Sequence, residues 1–252
     1  VIEFDNKLWM VGGLEDGLIA KNDVWSSTDG STWTEVTTNA QFGARSGHQL
    51  AVHGGKLWLI GGLGSSINYS DIWSTTDGAT WIEESANNVA AFAPRYDHTV
   101  TSFANKLWLM GGRASDNNST KFDDIWTSED GTTWTQLTDD AVFGIRTGHT
   151  TTVFNDELWI TAGNVGASTS DDTWSSADGS NWTNENASAD FTERSQFQTI
   201  PFNNKLWLFG GITDNNELQN DIWSSTDGID WRNETHAAGF TARRSHQVVE
   251  HS

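Results

Sequence analysis

The chain has 252 residues, no cysteine, and 34 acidic against 14 basic side chains, for a formal net charge of −20. Such a charge repels nucleic acid and anionic lipid, because phosphate is held by clustered Lys and Arg, and it favours cations and basic partners. The missing cysteine excludes a disulfide framework and thiol chemistry, and no apolar run approaches the ~20 residues that span a bilayer. This composition suits a bacterial protein, and the expected location is extracellular or at the cell surface, without membrane insertion.

Read from the start, Val1-Ile2-Glu3-Phe4 is strand-like, and the expectation is that any targeting segment was removed or lies outside this sequence. A second run, Lys7 to Val11, ends in Gly12-Gly13. A loop follows, then Asp23-Val24-Trp25, an Asp29-Gly30 turn and Trp33. The same order returns in full from Arg45. His48 to His53 alternates, Lys56 to Ile60 ends in Gly61-Gly62, Asp71-Ile72-Trp73 follows a loop, and Asp77-Gly78 leads to Trp81. Runs of four to six residues with period-two alternation, separated by Gly and Asp-Gly, are strands and hairpins. Asp-Gly suits a turn that needs positive φ at its glycine.

Tryptophan marks the period. The 15 Trp form three series of five: Trp9, Trp58, Trp108, Trp159, Trp207; Trp25, Trp73, Trp126, Trp174, Trp223; and Trp33, Trp81, Trp134, Trp182, Trp231. Four strands per ~50 residues is one propeller blade. The fold class is therefore all-β: a five-bladed β-propeller with four antiparallel strands per blade. The expected organisation is a single domain over 1–252, with repeats near 1–44, 45–94, 95–145, 146–193 and 194–242. Residues 243–252 are the closing strand. Val248 to Ser252 aligns with Val1 to Asp5, so the two ends compete for the inner strand of the first blade. The expectation is that the C-terminal strand wins, pairs with Lys7 to Val11 and displaces the N-terminus.

Arg45-Ser46-Gly47-His48, Lys56 to Gly62, Asp71-Ile72-Trp73 and Trp81 together resemble the kelch motif, and the likeness covers nearly the whole chain. It implies a propeller but no particular function, since kelch propellers include enzymes, adaptors and adhesins. Segments such as Ser27-Thr28-Asp29-Gly30-Ser31-Thr32-Trp33 are also partly similar to the Asp-box hairpin of sialidases. A galactose-oxidase-like copper site would need a Tyr–Cys cross-link, and this chain has no Cys and only Tyr69 and Tyr96.

Residues common to every blade are architecture first. Asp23, Asp71, Asp124, Asp172 and Asp221 read as hydrogen-bond acceptors at strand starts. His48, His98, His149 and His246 read as packing residues. Arg45, Arg95, Arg146, Arg194 and Arg243 begin the inner strands. They either bridge blades or form a cationic ring suited to a carboxylate or sulfate. Candidate ligand-binding residues are these five arginines and the places where the repeat breaks. Phe197 stands in a His position, and Asn164 follows the irregular Thr161-Ala162-Gly163. Tyr96-Asp97 replaces the Ser46-Gly47 and Thr147-Gly148 of sister blades, and Arg113 follows a double glycine. Binding residues concentrate on such loops. No catalytic residue, metal ligand or cofactor is assigned. Calcium is a minor alternative at Asp116-Asn117-Asn118-Ser119 or Asp214-Asn215-Asn216-Glu217. Sequons stand at Asn68, Asn118, Asn181, Asn186 and Asn233.

The expected function is a non-catalytic binding module, monomeric, recognising a glycan or protein on the loop face and not nucleic acid. The alternatives are a glycan-active hydrolase with paired carboxylates and a structural segment of a larger surface protein.

Overall fold

A computed structural model describes residues 1–15, 18–85, 90–115 and 120–251. The described residues form twenty strands and no helix, in five four-stranded antiparallel sheets that are the blades of a β-propeller. The first blade is β1 (Ile2–Phe4), β2 (Lys7–Glu15), β3 (Ile19–Ser27) and β4 (Thr34–Thr37). The second is β5 (Gln49–His53), β6 (Lys56–Leu63), β7 (Asn68–Thr75) and β8 (Ile82–Glu83). The third is β9 (Thr99–Phe103), β10 (Lys106–Met110), β11 (Ile125–Ser128) and β12 (Thr135–Thr138). The fourth is β13 (Thr150–Phe154), β14 (Glu157–Val165), β15 (Ser168–Ser176) and β16 (Thr183–Asn186). The fifth is β17 (Gln198–Phe202), β18 (Lys205–Phe209), β19 (Ile222–Ser225) and β20 (Arg232–Thr235).

The chain divides into two compact units. One comprises Val1–Thr120, Ile125–Leu137 and Val249–Ser252; the other comprises Lys121–Asp124 and Thr138–Val248. The first unit holds the first three blades, with Thr138 of β12 at its boundary, and the second holds the fourth and fifth.

Local chemistry sets the hairpins. Asp5 and Asn6, which join β1 to β2, have φ of 52° and 55°. Two successive positive φ values make the two-residue turn whose twist matches the flanking strands. The Asp-Gly turns are tied by their own side chains. In the second blade Asp77 Oδ1 accepts from the N–H groups of Ala79 and Thr80, both at 2.8 Å, and Thr75 Oγ1 accepts from Gly78 N at 2.9 Å. Trp81 Nε1 then donates to Gly78 O at 3.2 Å. The indole N–H is thereby satisfied while its ring enters the core.

Within the first unit the blades interlock through aromatic rings. Phe42 meets Trp73 and Trp81 edge-on, with centroids 6.4 and 5.3 Å apart. Phe92 meets Trp126 and Trp134 in the same way. Trp9 lies so close to Gly78, and Trp58 to Gly131, that a side chain at either glycine would overlap the ring. Within the second unit Phe191 packs on Trp223 and Trp231, Phe143 on Trp182, and Trp159 against Gly228.

The expected closing strand is corrected. β1 holds the inner place of the first blade, with Ile2 opposite Trp9, Glu3 opposite Leu8 and Phe4 opposite Lys7. Residues 243–251 form no strand. The reason is loop-closure entropy. β1 reaches β2 through a two-residue turn, whereas the competing segment would have to close a loop of nearly the whole chain. In the second unit Arg243 is held by its backbone, donating to Gln219 O and accepting from Gly211 N. In the first unit His251 Nε2 lies 3.0 Å from Thr28 O.

Candidate functional site: the Tyr96–Asp97–Arg113 cluster

The repeated arginines are structural. Arg45 is fully buried and grips Asp71 with two parallel hydrogen bonds, Nη1 to Oδ1 at 2.5 Å and Nη2 to Oδ2 at 2.8 Å, while Nη1 also donates to Gly61 O. Arg146 holds Asp172, and Arg194 holds Asp221, with the same geometry. Arg95 is equally buried and donates to Ala93 O and Gly111 O. Burial pushes the carboxyls of Asp172 and Asp221 up, but the guanidinium hydrogen bonds and charge outweigh it and hold both below the usual carboxylate range. The other edge of the aspartate is used as well, since Trp73 Nε1 donates to Asp71 Oδ2 at 2.7 Å. These four arginines clamp neighbouring segments and present no free guanidinium to a ligand. Arg243 differs. It is exposed, and its side chain bonds to Thr241 and packs on the Phe240 ring at 5.1 Å.

The double glycine has two separate tasks. A Cβ on Gly61 would lie 2.9 Å from Arg95 O and 3.0 Å from His98 Cε1, and one on Gly62 would lie 2.9 Å from His48 Cβ. The first glycine admits the following blade and the second admits the histidine of its own. The strand pairing also shifts register between Ile60 and Gly62. His48 is half-buried, and desolvation of its ring, with the positive charges of Arg45 and the N-terminus, lowers its pKa to about 3. It is a neutral packing residue. Among the described residues no group of three or more His, Cys, Asp or Glu is arranged to hold a metal ion.

The break at Phe197 and Ala162 is internal. Ala162 takes the place of a first glycine, keeps its positive φ of 48°, and is fully buried in one cluster with Phe197, which is 1% exposed. The two departures belong to one repacked contact in the second unit, so Phe197 is not available to a ligand. Asn164 is half-buried, pairs with Thr147 across the backbone and turns its side chain toward the Thr147 hydroxyl. Asp116 to Ser119, including the Asn118 sequon, lie outside the described residues. Asp214 Oδ1 accepts from Thr169 N at 2.8 Å.

The break at Tyr96, Asp97 and Arg113 opens to the surface. Tyr96 and Arg113 are cross-strand partners, exchanging backbone hydrogen bonds of 3.0 and 2.9 Å, at the position where Ser46 pairs with Leu63 and Thr147 with Asn164. The Arg113 guanidinium lies 4.8 Å from the Tyr96 ring centre, within cation–π range. Its Nε and Nη2 donate to Asp97 Oδ2 at 3.0 and 2.8 Å. Asp97 has φ of 55°, a conformation the second and fourth blades fill with Gly47 and Gly148 and the fifth with Gln196 at 56°, so its side chain is carried at a backbone cost that glycine avoids. Burial pushes Asp97 up despite the opposing charge of Arg113. Tyr69, the chain's other tyrosine, stacks on Arg45 with the guanidinium carbon 3.9 Å from the ring centre. Its carbonyl accepts from Arg95 N, one residue before Tyr96. Sequence reasoning singled out Tyr96, Asp97 and Arg113 separately and missed both Tyr69 and the cross-strand pairing. The constant offset of Leu63, Arg113 and Asn164 after their glycines was the signal for that pairing.

The sequence model of the KLHDC2/KLHL20/DRC7 Kelch-repeats domain matches residues 1–188. The chain belongs to the Kelch-repeat family. No curated protein matches it. Kelch propellers are commonly protein-interaction modules. In this kelch chain the arginines that open the second to fifth repeats are used up in holding blades, and the Tyr96–Asp97–Arg113 cluster combines an aromatic ring, a cation and an anion at a half-exposed surface.

Proposed function

We propose that the chain is a non-catalytic interaction module of a secreted or cell-surface protein, working as a monomer and engaging a protein partner at Tyr96, Asp97 and Arg113. The observation that carries this reading is the symmetry break itself. The second and fourth blades place Ser-Gly and Thr-Gly here, and the fifth blade carries uncharged Gln196 at the same positive φ, whereas the third blade holds the Asp97 carboxylate and an aromatic ring beside Arg113. Strain of this kind persists where the surroundings hold it and concentrates at ligand sites. Aromatic and Arg side chains are the ones most often central to protein interfaces. The polar, cysteine-free, acidic composition supports a location outside the cell, and fractionation of source cells tests that part.

The test is binding to peptide and glycan arrays, wild type beside Arg113→Ala, with and without calcium and chelator. Peptide signal lost in the variant supports the reading. Signal confined to glycans and lost in the variant moves the same site to a lectin. Glycan turnover contradicts the non-catalytic reading, and blank arrays favour a structural segment.

A further inference from the structure

The β2–β3 hairpin of the first blade extends to Glu15 and Ile19 and carries Leu14, Leu18 and Ile19 at its end, 54%, 80% and 57% exposed. Leu14 is paired with Ala20 and Ile19 with Glu15, so the two side chains lie on opposite faces of the hairpin and Leu18 stands at the turn. Each face of the described hairpin end therefore carries an exposed aliphatic side chain, beside the surface ion pair of Glu15 with Lys21. The β6–β7 hairpin of the second blade carries Ile67 at its end, 54% exposed. The two hairpins are joined at their bases. Arg45 N donates to Lys21 O, Arg45 O accepts from Gly13 N, and Ser46 exchanges hydrogen bonds with Leu63. The corresponding β14–β15 tip of the fourth blade is Val165, Gly166, Ala167 and Ser168, small or polar apart from Val165. Repeat architecture therefore does not require bulky aliphatic tips. Clustered apolar surface left in water marks a contact surface.

We infer that these two tips are the apolar half of the partner-binding surface, and that they receive a basic protein segment bearing bulky apolar side chains. The inference rests on the reading that the module binds a protein, and names that protein's chemistry. Contact comes from Leu14, Leu18, Ile19 and Ile67. Sign comes from the field of a chain with net charge −20, which draws cations and repels anions before contact. Tyr69 leads from the second hairpin toward the cluster, because its carbonyl holds Arg95 N beside Tyr96. A lipid surface fits less well, since the same charge opposes an anionic leaflet.

The experiment uses an array of short immobilised peptides graded in net charge and aliphatic content. It compares wild type, a tip variant (Leu18→Ser, Ile19→Thr, Ile67→Thr) and a cluster variant (Tyr96→Ser, Asp97→Gly), each verified as folded by circular dichroism. The expected result is wild-type signal that requires peptides both basic and aliphatic, falling at least about tenfold in the tip variant. Preference for acidic peptides, or undiminished binding by the tip variant, overturns the inference. If only the cluster variant loses signal, the inference fails while the functional reading stands. If only the tip variant loses signal, the inference holds and the cluster falls. Sedimentation and neutral vesicles complete the test: self-association or lipid binding lost in the tip variant overturns the inference in favour of a second copy or a membrane.

Discussion

The ring of Trp9, on the first blade, fills the space that a side chain at Gly78, in a turn of the second blade, would need. Gly78 also has φ of 72°, in the left-handed region. A Gly78→Ala substitution therefore meets both a steric overlap and an unfavourable backbone. The expected cost is about 2–4 kcal/mol, from overpacking plus strain. Urea denaturation measures it, and Gly54→Ala, where nothing crowds the added carbon, is the control for the backbone term alone.

Arginines of the two kinds separate cleanly by stability. Arg45→Ala leaves Asp71 buried without its cation, and such a loss costs about 3–5 kcal/mol. Arg113→Ala removes a pair that is a fifth to a third exposed, and the cost is about 0–1 kcal/mol. Thermal or chemical unfolding of the two variants side by side checks the difference.

Ala162 and Phe197 are predicted to be energetically coupled. Phe197→His alone places an imidazole in an apolar cluster beside the Ala162 methyl, whereas Ala162→Gly alone relieves a positive φ and leaves a void. The double variant restores the Gly–His arrangement of the other blades. Its destabilisation is expected to be smaller than the sum of the singles by about 0.5–3 kcal/mol in a double-mutant cycle.

Stability should depend on pH well above the carboxylate range. His48 and His149 titrate near 6.5 when unfolded and at about 3 in the fold, because burial disfavours their charged forms. Between those values the unfolded chain binds protons that the folded chain does not, so stability falls as pH drops from about 6.5 toward 3 and is level above. The turn carboxylates Asp29 and Asp178, lowered to about 2 by backbone hydrogen bonds, contribute stability above the unfolded carboxylate pKa that is lost as pH falls toward 2. Urea midpoints across this range test the order of events, and His48→Gln should reduce the slope in the upper window.

How much of this was legible in the sequence depended on whether a feature was local. The strands, the Asp-Gly turns and the double glycines carry their causes within a few residues, and the blades follow from them. The fate of the chain's ends did not, because Val1 to Asp5 and Val248 to Ser252 have equivalent patterns. Only the closeness of β1 to β2 through Asp5-Asn6 decides between them. Ala162 and Phe197 look like two unrelated exceptions until folding brings them into one cluster. The arginines look like a cationic ring until Asp71, Asp172 and Asp221 are seen to neutralise three of them. Tyr96 and Arg113 lie apart in sequence and become one site through a single cross-strand pair.

The most direct test of the binding surface is to restore the repeat. Tyr96→Ser with Asp97→Gly gives the third blade the Ser-Gly of the second, and glycine relieves the positive φ, so the fold should be kept or slightly stabilised. Titrating the best array peptide into wild type and this variant by calorimetry measures the consequence. The account predicts that binding falls by at least about tenfold with the unfolding midpoint unchanged or raised. Equal affinity in a stable variant would contradict it.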